Sequence, residues 1–228
     1  MKLTYSLLAW LFVAEFIALS NTFSAAIFYS IFIFTMLFLL VYKKLNEKEF
    51  IIVFLTIPLV RLMQFLAPMD LAYGYQLAVI YSLLFIVSIS YIRSMKIDIK
   101  KLYNSNRLSE LVLIVPLIVL AIIAGVFQKD LKAMQFSFLT FSIMLFCTYV
   151  QVLFLFGILQ NKLEEIEKQE SIFLAPLMVS VLFISNLNVF IPTLTAMLAF
   201  AYVFYKTKNL NLILVGMLIL NIYQGLVF

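Results

Sequence analysis

The chain of 228 residues contains no histidine, a single cysteine, and only five glycines and five prolines. Each shortage excludes a class of chemistry. Without histidine there is no Ser-His or Cys-His nucleophile pair and no imidazole to hold zinc. One cysteine, Cys147, excludes an internal disulfide and has no second thiol to share a metal with. An unassisted thiol in an apolar helix stays in its unreactive form. Five glycines leave no glycine-rich phosphate loop. Charge is scarce as well: charged residues make up 12% of the chain, and the only adjacent carboxylates, Glu164-Glu165, fall in a polar stretch between apolar runs. No metal or organic cofactor is expected.

Apolar residues account for 65% of the chain and mean hydropathy is +1.13. Soluble domains sit near 45–50% apolar, so the solvent for most of this surface is lipid. A membrane-spanning helix takes roughly 20 apolar residues. In lipid every backbone N–H needs an internal partner, which leaves helices or a closed barrel. The apolar runs are continuous rather than alternating, so the fold class expected is all-α, a polytopic transmembrane helix bundle. Nine segments can be marked, at 4–20, 23–42, 50–67, 73–92, 111–127, 134–160, 172–187, 190–206 and 210–228. The count is eight to nine crossings, because the seventh and eighth segments also read as a kinked or re-entrant pair. Glu15 interrupts what would be the apolar core of a signal peptide, so 4–20 is read as a first membrane helix. The whole chain, 1–228, is expected to be one domain, with N-terminal helices over 1–133 and a C-terminal set over 134–228.

The net charge of +5 comes from basic residues placed in short loops. This pattern orients a membrane chain rather than binding nucleic acid. With the N-terminus inside, Lys2, Lys43, Lys44, Lys48, Arg93, Lys96, Lys100, Lys101, Arg107, Lys162, Lys168, Lys206 and Lys208 are cytoplasmic, and Lys129 and Lys132 lie outside. Thirteen against two predicts a cytoplasmic N-terminus and an odd number of crossings. The polar stretches 95–108 and 161–170 read either as short interfacial helices or as solvated connectors. In the second, Lys162 with Glu165 or Glu164 with Lys168 would pair at helical spacing. Asp70, beside Pro68, reads as a cap at the outer end, and Tyr73-Gly74-Tyr75 as part of an interfacial aromatic belt.

Two charges, Glu15 and Arg61, lie well inside apolar runs, where an ionisable group needs a partner or a cavity. Each falls about eleven residues beyond the start of its segment, and both segments run outward, so both charges reach the same depth. A Glu15–Arg61 pair is expected, direct or through Gln64. It reads as a structural ion pair, or as part of a relay or an anion site.

The C-terminal helices carry a further pattern. Phe154-Leu155-Phe156-Gly157-Ile158-Leu159, then Ser180-Val181-Leu182-Phe183, then Thr207-Lys208-Asn209-Leu210 with Met217 to Asn221 are spaced like three successive motifs. This layout resembles the CAAX-protease and bacteriocin-processing family of intramembrane proteases over about 75 residues. That family carries Glu-Glu-x-x-x-Arg-Gly, then Phe-x-x-x-His, then His-x-x-x-Asn. Placed on this chain, the glutamates become Gln151 and Val152 and the arginine becomes Phe156. The first histidine falls at Leu187, flanked by Asn186 and Asn188, and the second becomes Met217. Asn221 alone keeps the family residue. In the family the Glu and His are held to activate water while the Asn holds the oxyanion. The resemblance therefore implies a relative without catalysis: a scaffold or accessory subunit, with other membrane proteins as partners. Two alternatives stand beside it. One is a subunit of a transport or energy-conserving complex that uses Glu15 and Arg61; the other is an enzyme working through Cys147. The expected location is the cell or inner membrane of a prokaryote, with an organellar membrane as the other option.

Overall fold

The computed structural model describes residues 3–42, 48–66, 73–98, 102–103, 112–126, 138–184 and 187–224. Among them the chain is almost entirely helical, with no strand. The helices are α1 Leu3–Ser20, α2 Thr22–Tyr42, α3 Lys48–Leu66, α4 Tyr73–Ser94, α5 Ile114–Val126, α6 Phe138–Val152, α7 Asn161–Glu167, α8 Ser171–Ser180, α9 Leu187–Thr207 and α10 Leu210–Gln224. A π-helical segment, Leu153–Gln160, joins α6 to α7, and 3-10 turns cover Lys168–Glu170 and Val181–Phe183. Among the described residues, six helical stretches are long and apolar enough to cross a membrane, and two shorter apolar helices, Ile114–Ala124 and Leu210–Ile222, accompany them. Eight stretches stand where nine segments were marked, because the sixth and seventh run together as Phe141–Ser180. That stretch is not straight. Lys168 takes φ 49° and ψ −116°, and α8 folds back to pack on the π segment.

Short polar residues set the connections. Asn21 is the whole link between α1 and α2: its Oδ1 accepts from the backbone N–H of Phe23 at 2.9 Å and of Ser24 at 3.2 Å. These are the donors that a new helix leaves unpaired. Asn209 does the same for α10, accepting from the Asn211 N–H at 3.0 Å. At the end of α4, Ile97 N–H reaches back to Ile92 O at 3.1 Å across Lys96, which sits at φ 53°. This is a Schellman closure with lysine where glycine is usual. Lys208 takes the same left-handed φ of 53° beyond α9.

The packing follows chain order at first, α1 on α2, α2 on α3 and α3 on α4. Trp10 of α1 lies between Phe28 and Phe32 of α2, stacked on both, with centroids 4.7 and 3.5 Å away. The centre of the bundle is the α6–π–α7 helix. Every residue from Val150 to Gln160 is buried, and the π segment touches α3, α4, α8, α9 and α10. A helix that is apolar all round belongs in such a position. Since lipid tails are as apolar as leucine, close contact between helices rests on fitted surfaces and interhelical hydrogen bonds. Gly216 of α10 shows how tight the fit is: a Cβ there would meet Phe200 Cε1 of α9 at 2.7 Å. At Gly157 of the π segment, the nearest atoms to a Cβ are leucine methyls at 3.4 Å.

The contrast gives a test. Gly216→Ala drives a methyl into a fully buried ring and is expected to destabilise the fold by about 1–3 kcal/mol. Gly157→Ala is expected to leave thermal stability in detergent close to that of the parent.

Candidate functional site

Two buried polar centres and one charged end organise the interior. The first centre joins α1, α2, α3 and α8. Arg61 meets Glu15 through two parallel bonds, Nε to Oε1 and Nη2 to Oε2, both 2.8 Å. Glu15 is 1% exposed and Arg61 20%. Tyr29 donates its hydroxyl to Glu15 Oε1 at 2.6 Å, and Arg61 Nη1 donates to Gln64 Oε1 at 3.1 Å. The guanidinium also donates to the Leu182 carbonyl at 3.4 Å and lies 4.7 Å from the Phe65 ring centre. Leu182 stands in the 3-10 turn that ends α8. Leu182 is buried, so the carbonyl end of the helix that begins at Ser171 stops inside the bundle. Arg61 places a cation on that end, where the helix dipole is negative. Both carboxylate oxygens of Glu15 are engaged. The Nε2 of Gln64 is buried without a hydrogen-bond partner.

The second centre lies between α4, α6 and α10. Asn221 donates through Nδ2 to Thr148 Oγ1 and to Gln151 Oε1, both 2.8 Å. Gln151 in turn donates through Nε2 to the Tyr81 hydroxyl. Thr148 closes the set by donating to the Met144 carbonyl at 2.8 Å. All four side chains are buried. The helix spacing explains the convergence: Thr148 and Gln151 are three apart on one face of α6, turned toward Asn221. The groups are amides and hydroxyls, able to orient one another but with no acid or base at neutral pH.

Gln151 and Asn221, placed at separate motif positions by the family resemblance, are thus in direct contact. The other positions lie elsewhere. Val152, Phe156 and Met217 are buried in the core, with the Phe156 ring 5.9 Å from that of Phe204. Leu187 and Asn188 are exposed, and line a groove of about 630 Å³ with Pro116, Val119 and Ile123 of α5, away from the amide cluster. Leu187 opens α9 and lines that groove rather than the cluster. Asn186 and Asp70 lie outside the described residues, as do the side chains of Tyr73 and Tyr75. Cys147 is fully buried. Among the described residues no group of three or more Cys, Asp or Glu side chains converges as metal ligands would.

At the charged end, side chains tie five segments together. Thr4 donates to Glu167 at 2.8 Å, and Tyr5 to Glu170. Lys162 pairs with Glu49 at 2.7 Å and with Glu165 at 3.0 Å. Glu164 meets Lys208, not the Lys168 that helical spacing suggested. Lys168 ends α7 with a left-handed φ, so its side chain leaves the helical row. Asn211 donates to the Tyr103 carbonyl at 3.2 Å.

Sequence reasoning missed Tyr29, Tyr81, Thr148 and the Leu182 carbonyl. Tyr29 had a signal: Glu15 lies six residues before Asn21 and Tyr29 eight after, so a tight hairpin sets them at similar depth. Thr148 also had one, its spacing from Gln151. Nothing local marks Tyr81 or Leu182.

Replacing Glu15 by Gln leaves Arg61 without its counter-charge. Breaking a buried pair in this way is worth about 3–5 kcal/mol, and the partial exposure of Arg61 points to the lower end. The swap Glu15→Arg with Arg61→Glu is expected to recover part of the loss, because the Leu182 carbonyl still lacks its donor. Unfolding in detergent checks both. Gln151→Leu strips partners from Asn221 and Tyr81 and is expected to destabilise by about 0.6–2 kcal/mol, measured the same way.

Compared with known proteins, the chain matches no family, no curated protein and no solved structure.

Proposed function

We propose that this chain is a non-enzymatic multi-pass membrane protein, a scaffold or accessory subunit of a larger membrane complex. In this reading its C-terminal helices keep the layout of the CAAX-protease and bacteriocin-processing family and have lost its catalytic groups. The observation that carries the proposal is the cluster of Thr148, Gln151, Asn221 and Tyr81. It stands where the resemblance places a glutamate base and an oxyanion-holding asparagine. These two positions are hydrogen-bonded to each other, and an amide stands where the family has the base. The chain has no histidine to carry a proton. What remains is an interhelical lock.

The orientation proposed is N-terminus in the cytoplasm of a prokaryotic cell or inner membrane. The thirteen-to-two distribution of basic residues supports it. So does the charged end, where the starts of α1 and α3, the α7–α8 turn, Tyr103 and the α9–α10 turn are hydrogen-bonded together. Every one of those segments belongs to the side that the charge count assigns to the cytoplasm.

A second reading, a subunit of a transport or energy-conserving complex, draws on the Glu15–Arg61 pair. Its distinguishing outcome is specific: Glu15→Gln would abolish the activity of the parent complex while assembly stayed intact. The accessory reading expects assembly to fail instead.

Gentle extraction from the native membrane, followed by mass spectrometry of what co-purifies, tests the proposal. Partners in fixed stoichiometry are expected. A chain that comes out alone and monomeric under the mildest extraction overturns the accessory role.

A further inference from the structure

The π segment is where the central helix departs from ordinary winding, and one side chain closes its end. In a regular helix the Gly157 carbonyl would accept from the Asn161 backbone N–H, four residues on. Here that N–H turns to the Ile158 carbonyl. The Asn161 side chain takes its place, Nδ2 donating to Gly157 O at 2.8 Å. The other half of the same amide is also held: Asn161 Oδ1 accepts from Lys208 Nζ at 3.2 Å, and that ammonium is paired with Glu164. Lys208 reaches this spot from its left-handed position beyond α9. An i→i+5 winding stores an extra residue in the helix, and here the store is closed from its charged end.

The surroundings leave room for a second winding. A small cavity of about 30 Å³ lies against Phe154 and Leu155 of the π segment, and Gln151 and Tyr81 line it too. Gln160 Oε1, at the other end of the segment, is buried without a hydrogen-bond partner. Sterics do not dictate glycine at 157. Winding of this kind recurs at functional sites.

We propose that Leu153–Gln160 is a two-register element and that Asn161, Lys208 and Glu164 form its latch. With the latch closed, the extra residue is held at Gly157 and Gln151 faces Asn221 and Tyr81. Opening it returns the Gly157 carbonyl to the Asn161 N–H, passes the extra residue toward α6 and turns Gln151 away from Asn221. Gln151 and Asn161 are ten residues apart, about 15 Å of helix. A partner that takes Lys208 or Glu164 at the charged end thereby changes the state of the buried amide cluster. This coupling does not depend on the accessory reading above.

Hydrogen exchange of the full chain in nanodiscs, read on peptides covering 148–167, tests the latch. Lys208→Met and Asn161→Asp are each expected to raise exchange over 153–161 at least tenfold, with α1 and α2 unchanged. Asn161→Asp decides most: it keeps an acceptor for Lys208 and can no longer donate to Gly157 O. Parent-like exchange in that variant overturns the proposal. Deleting Gly157 removes the stored residue, so exchange in that background is expected to be indifferent to Lys208→Met. An equal rise there would make Lys208 a surface ion pair only, and the proposal would fail. If the deletion variant does not fold, Lys208→Met added to Asn161→Asp gives the same decision: with the latch already open, exchange over 153–161 is expected to rise no further, and a second rise of equal size overturns the latch.

Discussion

A guanidinium shared between a carboxylate and a helix-end carbonyl holds this bundle at its most exposed weakness. Lipid offers no hydrogen bonds, so a helix that stops inside the bilayer must find donors for its last carbonyls among other helices. The helix that begins at Ser171 ends inside the bundle, and Arg61 meets it at Leu182. A lone arginine would be as costly as the orphan carbonyl. Glu15 neutralises it, and Tyr29 fixes the carboxylate. Four helices are therefore positioned by one charge pair, and none of the four solves its own problem alone.

The amide cluster works on a different principle. Each of its bonds is modest, since such contacts in membranes contribute little individually. Their value lies in direction: Asn221 has two acceptors at fixed angles, which sets the rotation of α10 against α6. Close packing at Gly216 sets the approach of α10 to α9. Rotation by hydrogen bonds and spacing by small residues together define one arrangement where apolar contact alone would accept several.

Much of this was legible in the sequence. The helical class followed from continuous apolar runs, and the meeting of Glu15 and Arg61 from two equal distances measured from one side of a membrane. What escaped was where and how the chain leaves regular geometry. Lys168 and the stop at Phe183 merge and break segments that hydropathy draws as plain helices. Leu187 and Asn188 line an apolar groove against α5 instead of the amide cluster. The π winding has no composition of its own, because Leu153 to Leu159 would be equally at home in an α-helix. Backbone carbonyls such as Leu182 carry no sequence label at all.

Lys96, Lys168 and Lys208 share one backbone habit: each takes a left-handed φ at a helix end, a place where glycine relieves strain of order 1–3 kcal/mol. On the proposed orientation, all three also belong to the set of positive charges that keeps its side of the membrane during insertion. Backbone comfort and translocation thus draw on the same residue at three turns. A glycine would ease the finished fold while weakening the signal by which the nascent chain is threaded. The strain at these turns can therefore be read as a record of biosynthesis left in the mature structure.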